Sequence, residues 1–213
     1  MKKLKFGYLG KTMTVNLFMQ QANIKSLGPY LRYGVWFYGC DKHCDGCIYR
    51  KQEILNYETV SVDSVFQNIL SYKDIEGVTI SGGEPFLQHK ALLYLVKKLY
   101  EKGLGIILYT GKTMSEIISN KEYIEVLKYI DLLIDGEYIK ELDQNNNLLG
   151  STNQVPYFLT NRYLDYSSLY GIAGHRKSEV TIENNELHSV GIPTKEEKII
   201  VEAILGERIK NGR

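Results

Sequence analysis

Cys40, Cys44 and Cys47 stand in the string GCDKHCDGC, and they are the only cysteines in a chain of 213 residues. Three thiolates on one loop can ligate three irons of a [4Fe-4S] cube and leave the fourth iron open to a small molecule. Zinc is the simpler alternative. A structural zinc site takes four ligands, typically in two pairs, and no second pair exists here; His43 abuts Cys44, an awkward place from which to chelate beside it. Trp36, Phe37 and Tyr38 just before the loop could seat and shield a cluster.

The second chemical signal is SGGEP at 81–85. After Ser81, Gly82 and Gly83 remove Cβ atoms so that backbone can approach a ligand, and Glu84 offers a carboxylate to a cation such as an ammonium. Taken alone it is a turn. Thr110, with Gly111 and Lys112, ends a later β-rich run, and Asp135 closes the next one. Asp135 could touch a cofactor or cap the following turn, and both readings stand. Arg32 could meet an anionic group or a surface carboxylate. The run His175-Arg176-Lys177 reads as a basic turn.

Elements that bring these residues together are legible between Gly34 and Asp135. Short β-rich runs at 34–38, 77–81, 105–110 and 131–135 alternate with helical patterns. Val62, Val65, Phe66 and Ile69 follow one-face helical spacing, as do Leu92, Leu95, Val96 and Leu99. Thr113 and Glu116 have capping-box spacing and predict a third helix that carries Ile117, Ile124 and Leu127 inward. This β-α-β-α-β-α-β order predicts an α/β fold with a parallel sheet, open or partly closed into a barrel. Ligands of such sheets bind beyond the carboxyl ends of the strands, and the segments there are GCDKHCDGC, GGEP, GK and GEY.

Past Gly136 the stretch 141–154 is polar and turn-rich and reads as a surface loop able to order over a ligand. VTIENNELHSVGIP predicts a hairpin turning at Asn184 and Asn185. A helix follows Pro193, with Thr194 and Glu197 as its capping box and Gly206 as its stop. We expect one domain over residues 1–213, with a core at about 26–162 and a C-terminal extension at about 163–213.

Charge and hydropathy exclude several classes. Lys and Arg number 26 against 25 Asp and Glu, net +1, which lacks the basic footprint of a nucleic-acid binder. The most apolar stretch, 91–100, is broken by Lys97 and Lys98 and is too short to span a membrane. The basic start develops no secretory apolar run, so a cytoplasmic location is expected, where thiols stay reduced.

A C-x3-C-x2-C loop after the first strand with GGEP after the second resembles the radical S-adenosylmethionine (SAM) enzymes. Gly28 and Arg32 ahead of the cysteines, then VTISGGEPFLQHK, LYTGK, DLLIDGEY and GSTNQ at 150–154, are similar to the glycyl-radical-enzyme activases, particularly the branch serving anaerobic ribonucleotide reductase. The resemblance implies a partial (β/α) barrel with Cys40, Cys44 and Cys47 holding a [4Fe-4S] cluster. It implies SAM chelated to the open iron, with Ser81, Gly82, Gly83, Glu84, Thr110 and Asp135 as cofactor-binding positions. Reductive cleavage of SAM would give a 5′-deoxyadenosyl radical that installs a glycyl radical on a partner enzyme, with a flavodoxin or ferredoxin as reductant. Two alternatives remain. One is a radical SAM enzyme modifying a small molecule (7-carboxy-7-deazaguanine synthase-like) or a ribosomally made peptide. The other is a metal-binding module without turnover.

Overall fold

The structure, a computed structural model, describes residues 8–9, 12–47, 57–174, 176–183, 186–192, 194, 196–197 and 199. The turn at Asn184 and Asn185, His175 and the helix stop at Gly206 lie outside them.

Among the described residues, eight strands form one sheet: β1 (Tyr8–Leu9), β2 (Thr12–Ile24), β3 (Arg32–Phe37), β4 (Glu58–Ser61), β5 (Gly77–Gly82), β6 (Gly105–Tyr109), β7 (Leu132–Asp135) and β8 (Val155–Phe158). Neighbours run β1-β2-β3-β5-β6-β7-β8, with β4 joined to β2. The centre, β3-β5-β6-β7, is parallel as the alternation predicts, and β2, β4 and β8 add antiparallel flanks. The central strands are buried on both faces, which is why they read as near-continuous apolar runs.

Among the described residues, the helices that accompany them are α1 (Val62–Leu70), α2 (His89–Glu101), α3 (Met114–Ser119) and α4 (Lys121–Leu127). The expected stripes of α1 and α2 are buried, together with Ala91. They pack on Val35, Phe37, Val78, Ile80, Ile106, Leu108 and Leu133, one face of the sheet. No helix among the described residues is long and apolar enough to cross a membrane.

Thr113 and Glu116 form the capping box, but the helix they start is shorter than the periodicity suggests. Asn120 leaves helical geometry (φ −108°, ψ 118°) and its Oδ1 accepts from the Glu122 and Tyr123 amides. That restart changes the phase: Ile117 and Val126 turn inward while Ile124 is exposed. An Asn that can satisfy two orphan amides makes a second N-terminus in mid-pattern.

The opposite face is covered by later parts of the chain. Ile107, Leu132 and Ile134 meet Leu149, Phe158, Tyr163 and Tyr170, and Ile24, Leu27 and Trp36 meet Val190 and Ile192. The predicted hairpin is present as β9 (Ser178–Glu183) paired with β10 (Glu186–Gly191). Thr194 and Glu197 make reciprocal capping bonds of 2.7 and 3.2 Å.

Candidate functional site

Strand β3 ends at Phe37, and the chain turns through Gly39 (φ 98°) into the cysteine loop. The GGE segment meets it at once. Gly83 N–H donates to Phe37 O and Glu84 N–H to Gly39 O, each at 2.8 Å. A Cβ on Gly82 (φ 114°) would strike the Phe37 and Trp36 main chain, so this glycine is required by the approach of β5 to β3.

From there the bonds continue around the sheet edge. Glu84 is 0% exposed. Its carboxylate accepts from the Phe86 amide at 3.0 Å, the Thr110 hydroxyl at 2.8 and 2.9 Å, and the Gly111 amide at 2.8 Å. Glu84 and Thr110 thus tie the loop after β5 to the loop after β6. Asp135 accepts from the Met114 amide at 2.6 Å and the Val155 amide at 3.3 Å, tying the start of α3 to the edge strand β8. Side-chain alternation places Ser81 on the face of Thr79 and Arg32, away from the helices. An open pocket of about 470 Å³ lies beside the rim, lined in part by Gly111, Thr113, Met114, Asp135, Glu137 and Tyr157. It gathers Asp135 and Gly111 but not the cysteines.

Burial pushes the Glu84 carboxyl above the usual carboxylate range, against the opposing pull of its three donors and the Lys112 charge. The folded state therefore keeps this proton to higher pH than the unfolded chain does. Stability contributed by Glu84 is fully present below the ordinary carboxylate pKa and is lost as pH rises through the folded value. Urea unfolding of the wild type and Glu84→Gln should show the wild type's relative stability greatest below the ordinary carboxylate pKa and falling as pH rises above it. A relative stability that climbs with pH would contradict this.

The three cysteines are half-buried on one loop. Burial pushes the Cys40 thiol up to about 12 and raises Cys44 as well, so ligation here must release protons. The Cys44 thiol donates to Glu137 Oε2 at 3.8 Å. Lys42, inside the loop, meets Glu137 at 2.9 Å and Glu116 at 3.3 Å. Lys112 reaches Asp41 at 3.4 Å. Among the described residues no three His, Cys, Asp or Glu side chains are gathered to hold one ion. A cube does not call for that spacing, because each cysteine takes a different iron, and three soft thiolates on one loop are a donor set that fits it.

Sequence reasoning placed GEY after β7 on the ligand edge but singled out neither Glu137 nor Tyr138 within it, and it read Arg176 as part of a basic turn. The stretch 141–154 is anchored rather than a free surface loop. Asp143, Asn146, Leu148, Leu149 and Ser151 are buried. GSTNQ braces the loop after β7: Asn153 Nδ2 donates to Glu137 O and Gln154 Nε2 to Gly136 O, both at 2.8 Å, and the Ile139 amide donates to Ser151 Oγ at 3.1 Å. Of the two readings offered for Arg32, the carboxylate partner holds, Glu76 at 2.9 Å, but the arginine itself is not at the surface. It is buried at the opposite edge of the sheet, bonded to Thr79, Glu76, Tyr163 and three main-chain carbonyls.

Residues 26–156 match a family described as a 4Fe-4S single cluster domain. The chain is 31% identical over 135 residues to the anaerobic ribonucleoside-triphosphate reductase-activating protein of Enterobacteria phage T4, covering 60% of this chain and 83% of that protein. It is 30% identical over 145 residues to the protein of that name from Vibrio cholerae, covering 62% and 91%. To the pyruvate formate-lyase-activating enzyme of Staphylococcus epidermidis it is 34% identical over 136 residues, covering 59% and 54%.

Proposed function

The chain belongs to the 4Fe-4S single cluster domain family, in its radical SAM, glycyl-radical-activase type, and from that premise we propose that it activates a glycyl radical enzyme, an anaerobic ribonucleotide reductase or a near equivalent. The observation that carries the proposal is the placement of its three cysteines on one loop that the GGE segment grips through Gly83 and Glu84. Cys40, Cys44 and Cys47 would hold the [4Fe-4S] cluster. When bound and reduced, the cluster would supply one electron to split SAM into methionine and a 5′-deoxyadenosyl radical, which would take a hydrogen atom from a glycine Cα and leave as 5′-deoxyadenosine.

The chain's own residues position and shield. The Glu84 carboxylate is occupied by Thr110 and Gly111, so its part is to hold two rim loops in register while main chain of the Gly82-Gly83-Glu84 stretch faces the SAM ammonium. Thr110 serves the same register, and Ser81 and Asp135 stand at the rim as further cofactor contacts. A partial (β/α) barrel is the fold we infer, supported by four parallel strands with helices on one face. A cytoplasmic setting and a flavodoxin or ferredoxin reductant complete the reading.

Packing of Leu149, Phe158, Tyr163 and Tyr170 behind the sheet favours a macromolecular substrate that reaches the rim over a small one enclosed behind it. Anaerobic reconstitution, then dithionite and SAM, is expected to release 5′-deoxyadenosine. Adding the partner reductase should give the electron paramagnetic resonance doublet of a glycyl radical. SAM cleavage without that doublet would favour a peptide or small-molecule substrate, and no cleavage by a fully loaded chain would favour a binding module.

A further inference from the structure

Arg176 lies beyond residue 156, where the family match ends, yet it is among the most heavily bonded side chains of the protein. Its guanidinium and the Asp143 carboxylate are both 0% exposed and meet at 2.9 Å, with a second contact at 3.2 Å. The same guanidinium donates to Leu149 O at 2.8 Å and Gly150 O at 2.9 Å. Asp143 in turn accepts from the Tyr138 hydroxyl at 2.9 Å. The Tyr138 ring and the Lys140 stem border the space a side chain on Gly46 would fill, 3.7 and 3.3 Å from its Cβ position, and the Tyr138 amide donates to the Cys44 sulfur; Gly46 has φ 70° and stands between Cys44 and Cys47. Lys140 also meets Asp45 at 3.5 Å. An unbroken series of contacts therefore runs from the C-terminal segment, through the loop after β7, to the second half of the cysteine loop. The main chain just before Cys40 is held separately, through the bonds of Phe37 and Gly39 to the GGE segment.

We propose that Arg176 is a positioning residue for the cysteine loop, acting through Asp143 and Tyr138 on residues 44–47. A buried, doubly bonded ion pair has one arrangement rather than many, so it can fix Tyr138 and thereby the amide that donates to the Cys44 sulfur. The C-terminal segment, which the family match does not cover, thus takes part in shaping the metal-binding loop. The cluster readout below rests on the proposed function; the thiol readout does not.

The test uses the full chain without metal, kept anaerobic, and measures the rate at which iodoacetamide alkylates each cysteine, resolved by mass spectrometry. Arg176→Met and Tyr138→Phe are expected to speed alkylation of Cys44 and Cys47 on the order of 5- to 10-fold, with Cys40 unchanged. Tyr138→Phe removes one hydroxyl and keeps the Arg176–Asp143 pair, so it separates the relay from general unfolding. In reconstituted protein the same variants should lose iron to a chelator faster than the wild type. Equal acceleration at all three cysteines in Arg176→Met, with none in Tyr138→Phe, would overturn the proposal and leave Arg176 merely structural. Unchanged rates in both variants would overturn it too. A wild-type chain that takes up no iron but shows the selective thiol effect would sink the cluster reading and leave the relay standing.

Discussion

Cys44→Ala, reconstituted anaerobically with iron and sulfide, is expected to lose SAM cleavage by more than about a hundredfold, since changes to mere partners of metal ligands already cost 10- to 100-fold. The chain has three cysteines in all, so no fourth thiol can take the vacated iron. Alanine is the informative replacement because a serine oxygen could still ligate. Cys44 is the informative position because its thiol also meets Glu137, which Lys42 links to the rim. Losing it removes a proposed ligand without disturbing the backbone bonds that hold Gly39 and Phe37. The measurements are iron per chain and 5′-deoxyadenosine released on reduction with SAM. Wild-type yields from the variant would show that the cluster, or the chemistry, resides elsewhere. Unchanged thermal stability of the metal-free variant is expected alongside, because Cys44 contributes little to the core.

The parts of this protein that were legible in the sequence are those whose partners are local or whose pattern is unmixed. The parallel strands announced themselves as apolar runs, and α1 and α2 as single stripes, because burial there is complete. Strand β2 did not. It buries Asn16, whose main chain pairs with the Gln88 amide at 2.8 and 2.9 Å and whose Oδ1 accepts from Thr59, and polar residues in such a strand erase the alternation that marks one. β8 hid behind Pro156, tolerated because β8 is an edge strand. The cysteines and GGEP were legible as residues. What holds them was not, since Glu84 meets Thr110 across 26 positions and Arg176 meets Asp143 across 33. A charged side chain reads as solvated until its distant counter-charge is known, which is why Arg176 read as part of a basic turn and Arg32 as the partner of an anionic group or of a surface carboxylate.

Arg32→Met is expected to cost about 3–5 kcal/mol, the usual penalty for breaking a buried ion pair by removing one partner. At roughly 2–4 °C per kcal/mol for a chain of this size, the melting temperature should fall by about 10 °C. The environment of Arg32 was built around it. Gly77 and Gly105 begin neighbouring parallel strands, and a Cβ on either would collide with this network: on Gly77 with Gly105 main chain, on Gly105 with the Tyr163 hydroxyl. Glu76 Oε2 accepts from Arg32 at 2.9 Å and from Tyr163 at 2.7 Å, while Oε1 takes Arg162 at 2.6 Å. Methionine would leave Glu76, Thr79 and the Val78 and Gly105 carbonyls without their shared donor. Tyr163→Phe, which removes one hydroxyl and keeps the guanidinium, should cost only about 1–2 kcal/mol. Strands of this length separate the two sheet edges by roughly 17–20 Å, so cluster uptake and SAM affinity measured in the cold, with the variant folded, should match the wild type. The opposite pattern, an unchanged melting temperature with weakened SAM binding, would return Arg32 to the role of an anion-binding residue and move the cofactor to the other edge of the sheet.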